Sequence, residues 1–294
     1  MNASAPRRDF DSLWNYSDPA GTESRFEALV PAARTSGDAA YLAELLTQIA
    51  RAQGLQQRFD VAHQTLDQAQ ALLPVAGDRA RVRYLLERGR VFNSSKRPDE
   101  ARPLFLQAWE LASDTSLDDY AVDAAHMMAI VEPPDRQLEW LDRAMQRAEA
   151  SDDPRARNWL GSLYNNAGWT YHDLGRYEDA LATFQKGLEW QKAAGKEEGA
   201  RTASWTVGRA LRSLGRYEDA LQVQQDNFQA CQKAGTSDGY VAEEIAECLL
   251  ALGRADDATA YFARAFTMLA GDPWLQRDEP ERLHRLAELG HVDR

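Results

Sequence analysis

The sequence predicts an all-α solenoid of about six stacked helix pairs, closed by a capping helix at each end. Three observations lead there. The heptapeptide GRYEDAL occurs unchanged at Gly175–Leu181 and Gly215–Leu221, and a weaker copy, LGRADDATAYFARAF, runs from Leu252 to Phe266. Recurrence at such a period means stacked supersecondary units, none of which buries its apolar face alone. Next, a small residue precedes an alanine by twelve positions in each copy: Gly168 and Ala180, Gly208 and Ala220, Ala246 and Ala258. Constant spacing of this kind sets two helices antiparallel with their narrowest points touching. Third, the chain is rich in alanine, leucine, arginine, glutamate and glutamine, all good helix formers, and is 44% hydrophobic, which argues against global disorder.

Taken in order, residues 1–37 read as an arm and a cap. The first seventeen residues are polar, with Phe10, Trp14 and Tyr16 as rings by which the arm docks. Glu23 to Arg34 reads as a helix that Pro31 distorts by removing a hydrogen bond. Six repeats follow over 38–271, at about 38–73, 78–112, 117–150, 155–193, 197–233 and 237–270, forming one continuous solenoid domain. The first pairs Ala50 with Ala62 and the second Gly89 with Ala101. The third departs from the pattern: its turn, Val131-Glu132-Pro133-Pro134-Asp135, lacks glycine, and the twelve-residue rule puts Gln137 where a small residue belongs. Its helices are therefore expected to splay or to slip by a residue. Elsewhere the Leu-Gly-Arg turn stops one helix on a left-handed glycine and Tyr-Glu-Asp-Ala-Leu starts the next. Residues 272–294 form a polar-backed cap: Pro273 opens a short turn, Pro280 starts the last helix, and Gly290 ends it.

Several functions are disfavoured on composition. The net charge of −12 argues against non-specific binding to nucleic acid or anionic membrane. No stretch reaches the roughly 18–20 apolar residues of a membrane span. MNASAPRRDF shows no signal-peptide pattern, so a cytoplasmic location is the expectation. Cys231 and Cys248 have neither the number nor the spacing of a disulfide framework and read as partly buried thiols. Phosphate loop, nucleophile elbow, zinc spacing and His-Glu-x-x-His are all missing, so neither enzymatic activity nor a metal or other cofactor is expected. His126 and His172, with Asp173, come nearest to a reactive constellation and read as polar groove lining.

Gly168, Tyr171, Gly175, Tyr177, Ala180 and Phe184 together resemble the tetratricopeptide repeat. That family's period is about 34 residues. The turn glycines here stand 40 and 38 apart, at Gly175, Gly215 and Gly253, which is similar to the longer repeats of kinesin light chains and of several bacterial regulators. The resemblance implies a right-handed superhelix whose first helices line a concave groove, with inward positions at offsets −6, −3, +1, +4 and +5 from the small residue. By that rule the groove takes Asn165, Trp169 and His172 from the fourth repeat, Trp205, Arg209 and Arg212 from the fifth, Arg90 and Asn93 from the second and His126 from the third. Arginine grips carboxylates, asparagine bonds peptide backbone, and tryptophan gives stiff contact area. The carboxylate clamp of family members that hold chain termini does not carry over: Asn166 matches, but Val122 and Thr206 stand where its basic residues belong. The expected function is thus a non-enzymatic scaffold, monomeric or weakly dimeric, holding a protein partner's peptide segment, acidic or ending in a carboxylate. The alternative is a sensor whose superhelix responds to a signalling peptide or metabolite.

Overall fold

A computed structural model describes residues 10–292, less the side chains of Asp11, Pro134 and Asp135. It divides into two compact units, one ending at Trp159 and the other starting at Leu160. Among the described residues there is no strand.

Unit one opens with a 3-10 turn, Phe10–Leu13, then α1 (Pro19–Glu27) and α2 (Val30–Ser36). Three helix pairs follow: α3 (Ala39–Leu55) with α4 (Phe59–Ala76), α5 (Asp78–Ser94) with α6 (Pro98–Asp114), and α7 (Asp118–Val131) with α8 (Pro134–Ala150). The short α9 (Pro154–Asn158) ends it. The expected helix from Glu23 to Arg34 is instead two helices, starting earlier at Pro19 and breaking at Ala28–Leu29, so that Pro31 falls in the first turn of α2, where its missing N–H costs nothing. The aromatic arm docks as anticipated. Phe10 is buried, stacks on Tyr41 at 5.4 Å and meets Phe26 edge-on, while Trp14 Nε1 donates to Gln48 Oε1 at 2.9 Å.

The third pair neither splays nor slips. Leu141, Ala144 and Ala148 are buried at the places Phe105, Ala108 and Ala112 hold one repeat earlier. Gln137 is accommodated because its amide turns away and donates to the Glu132 carbonyl at 3.1 Å.

Unit two is built from α10 (Leu160–Asp173) with α11 (Tyr177–Ala193), α12 (Glu197–Ser213) with α13 (Tyr217–Lys233), and α14 (Gly239–Ala251) with α15 (Ala255–Leu269), then the cap α16 (Pro273–Asp278) and α17 (Pro280–Leu289). The landmark residues do what their spacing demands. Ala180, Ala220 and Ala258 are buried, and a Cβ added at Gly168 would fall 2.3 Å from the Phe184 ring. In the fifth repeat Gln224 replaces that phenylalanine; it is fully buried and its amide donates to the Trp205 carbonyl at 3.0 Å. Gly175, Gly215 and Gly253 are left-handed, with φ of 73°, 73° and 75°. After each, the next arginine's N–H closes back on the carbonyl five residues earlier, as Arg176 does on Tyr171 at 2.9 Å. The last stop differs from expectation: Gly290 is right-handed, and His291 takes the left-handed turn at φ 51°. Both cysteines are fully buried and unpaired, and burial pushes the Cys248 thiol up to about 12.

Candidate functional site

The inward positions predicted on α10 and α12 come together in unit two, joined by Tyr240 of α14. Trp169 and Trp205 approach to 5.8 Å between ring centroids, with Trp169 also edge-on to Phe184. Trp205 continues the row to Tyr240 at 6.2 Å and fixes its own tilt by donating Nε1 to the Tyr240 carbonyl at 3.2 Å. Both tryptophans are only half-buried, so each lends one edge to the core and keeps another on the surface.

One turn beyond Trp205 stands Arg209. Its Nη1 donates to Ser213 Oγ at 2.5 Å, and its Nε lies 3.5 Å from Glu244 Oε1. Arg212 claims the same buried carboxylate with two parallel bonds, 2.7 and 2.9 Å long. Two guanidinium groups thus share one carboxylate. Burial and the neighbouring Arg212 cation lower the Arg209 pKa, while Arg212, despite burial, is held above the usual value by Glu244. His172 joins this corner, with Nε2 at 2.9 Å from Ser213 Oγ; burial and the Arg209 charge favour its neutral form.

Asn165 lies on the other side of the tryptophan pair, at the rim of a cavity of about 260 Å³ between α10, α11 and α12. Three helical glycines, Gly161, Gly187 and Gly199, open this space, and Gln191 and Thr206 also line it. No lining residue is ionisable. The Gln191 amide sits between two of the glycines, so a Cβ at Gly161 would meet its Nε2, and one at Gly199 its Oε1, each at 2.5 Å. That Oε1 is buried and has no hydrogen-bond donor.

The other predicted residues belong to unit one, where the charges are matched. Arg90 donates to Glu87 Oε1 at 2.7 Å and to both oxygens of Asp123. Glu87 also accepts from Arg51 at 3.0 Å. Arg90 is held above its ordinary pKa because Asp123 and Glu87 more than offset its burial. Buried Glu44 is likewise met by Arg79 and Arg83, at 3.1 and 3.5 Å. Asn93 lines a smaller cavity of about 170 Å³ beside Arg90. His126 packs on Trp159 at 5.3 Å, and burial lowers its pKa.

Sequence reasoning missed Glu244, which pairs with Arg212, and Gln191 with its glycines. Glycine inside a helix costs roughly 1 kcal/mol relative to alanine. Gly161, Gly187 and Gly199 within forty residues were therefore a legible signal of close approach. Among the described residues, no group of His, Cys, Asp or Glu is arranged to hold a metal ion, and no helix is long and apolar enough to cross a membrane.

Tetratricopeptide repeat family models match residues 47–115 and 161–193. A search of curated proteins gives no match. Solved structures with a similar fold include the apo form of RapI, at 13% identity and a TM-score of 0.75, over 97% of this chain and 81% of that one. The apo form of the quorum sensor NprR from B. thuringiensis is similar at 16% identity and a TM-score of 0.63, over 95% and 79% of the two chains. A putative kinesin light chain repeat protein from Podospora anserina aligns over 65% of this chain and 94% of its own, at 15% identity and a TM-score of 0.52. At these identities the likeness is one of fold. The matched residues, and the helix pairs that hold them, are tetratricopeptide repeats.

Proposed function

We propose that the chain is a protein-interaction module that holds an extended peptide segment on the first-helix face of unit two. Arg209 is the observation that carries this reading. It is a half-buried cation whose nearest carboxylate is committed to Arg212, and it stands one helical turn from Trp205. A ligand carboxylate completes that corner with a charge-assisted bond, which is shorter and about twice as strong as a neutral one. The tryptophan row beside it offers large, stiff contact area to an apolar side chain, the composition common at binding hot spots. Asn165 can donate and accept along a peptide backbone. Arg90, Asn93 and His126 have no part in this reading: the arginine is already matched within unit one.

The fold likeness to NprR, which is called a quorum sensor, agrees with a signalling role. The test is selection of a random heptapeptide library on the full chain, with binding followed by tryptophan fluorescence. The reading expects acidic peptides with one aromatic or aliphatic residue, a quenching or shift of emission on binding, and affinity that falls with added salt. If no peptide is selected, the reading fails. If the selected peptides leave the emission of a Trp169→Phe/Trp205→Phe variant as responsive as that of the parent, the site lies elsewhere.

A further inference from the structure

The cavity beside Asn165 differs in kind from the charged corner at Arg209. Its lining is uncharged: glycines, asparagine, threonine and the Gln191 amide. At about 260 Å³ it falls just below the roughly 300–1,000 Å³ of small-molecule pockets, and so fits a single side chain better than a whole ligand. A charged group entering it gives up part of its water and finds no counter-charge, which costs more than burying a neutral polar group.

The hydrogen-bonding groups narrow the choice. Thr206 already donates its hydroxyl to the Ala203 carbonyl at 2.9 Å, so its remaining capacity is to accept. Gln191 Oε1 is a buried acceptor with no donor. Gln191 Nε2, a donor on the same amide, stands next to Gly161. Gln191 thus presents a buried carbonyl without a donor beside its own NH₂, with the Thr206 lone pair, the Ser162 hydroxyl and the Asn165 amide on the same lining. The complementary group is a second primary amide, which donates to Oε1 while accepting from Nε2. A hydroxyl satisfies one side only, and a carboxylate cannot donate at all.

We infer that this cavity is a subsite for a neutral primary amide, the side chain of an asparagine or glutamine in the held segment. The inference rests on the peptide-holding reading above, and it adds a neutral, amide-specific position to a ligand that meets Arg209 through an acidic one. It also accounts for three glycines in helical positions, since each removes a Cβ that would press on Gln191 or Tyr164.

The subsite is tested without a peptide, using propionamide and its charged counterpart propionate as probes. The full chain is labelled with ¹⁵N-glycine and titrated with each. Propionamide is expected to shift the Gly161, Gly187 and Gly199 resonances and to bind roughly tenfold or more tightly than propionate, the scale set by an unpaired buried charge. Gln191→Leu keeps the cavity's volume and should abolish the discrimination while leaving the other glycine resonances in place. Ala203→Leu should fill the space and remove both responses. Propionate binding as well as propionamide, or propionamide leaving all three resonances unmoved, overturns the inference. Propionamide binding together with an empty library selection leaves the subsite standing and sinks the peptide-holding reading alone.

Discussion

In unit one, Arg90 meets two carboxylates, Glu87 and Asp123; in unit two, Arg209 and Arg212 share one, Glu244. The residues occupy corresponding places on first helices, and their type is the same. What differs lies on their own helix, where Glu87 backs Arg90 and Thr206 stands at the corresponding place before Arg209; the neighbouring first helix supplies one carboxylate in each case, Asp123 and Glu244. An arginine on this face is thus a tie between repeats when the carboxylate count matches and an open cation when it does not. The turns differ in parallel. Unit one closes its turns on Gln57 and Lys96, left-handed at φ 61° and 64°, whereas unit two uses Gly175, Gly215 and Gly253.

The comparison is broken most severely by removing the matched arginine. Arg90→Ala strands the largely buried Asp123, while Glu87 keeps Arg51, and breaking such a pair costs about 3–5 kcal/mol. A melting curve should show unit one losing far more than unit two loses with Arg209→Ala; equal losses would remove the distinction. Next, Ala180→Leu should destabilise unit two by about 1–3 kcal/mol, because a fully buried alanine leaves no room for three more carbons. An unchanged melting temperature would mean that the helices do not touch there. Smaller still, Lys96→Gly should stabilise unit one by about 1–2 kcal/mol, the strain of a left-handed non-glycine residue, while Gly215→Ala should cost unit two a similar amount. Urea titration of the pair gives both signs. Smallest is the response to pH. His63, His126 and His172 all have pKa values lowered, chiefly by burial, so the native state resists their protonation. Their contribution is fully present above the unfolded value near 6.5 and is lost as pH falls below it, because the unfolded chain then binds more protons. The melting temperature should drop between pH 7 and 5.5, and His172→Gln should flatten part of that slope.

Helix pairs and their register were legible because small landmarks, turn glycines and ring positions are set by local geometry, which the sequence states residue by residue. Gln137 shows the limit: it breaks the small-residue rule, yet the third pair keeps its register because one amide finds the Glu132 carbonyl. That Trp169, Trp205 and Arg209 share one face was legible from the same offsets. Charge matching was not, since Glu244 lies thirty-two residues from Arg212 and only stacking brings them to 2.7 Å. Nor was the cavity, since Gln191 lies on a second helix outside the offset rule, and its orphaned oxygen appears only when Gly161 and Gly199 are placed on either side of it. Arg90 was expected at a ligand; it holds its own neighbours.

The central claim is that charge left uncompensated in unit two is there for a ligand, whereas the charges of unit one are spent on the fold. The direct measurement is the affinity of a library-selected acidic peptide for Arg209→Ala and Arg90→Ala, each kept below its melting temperature. Arg209→Ala should weaken binding by about 1.5–3 kcal/mol, the range for hydrogen bonds to charged groups, with little loss of stability. Arg90→Ala should bind as the parent does despite its lower melting temperature. Unchanged affinity in Arg209→Ala, with a loss in Arg90→Ala, would contradict the account.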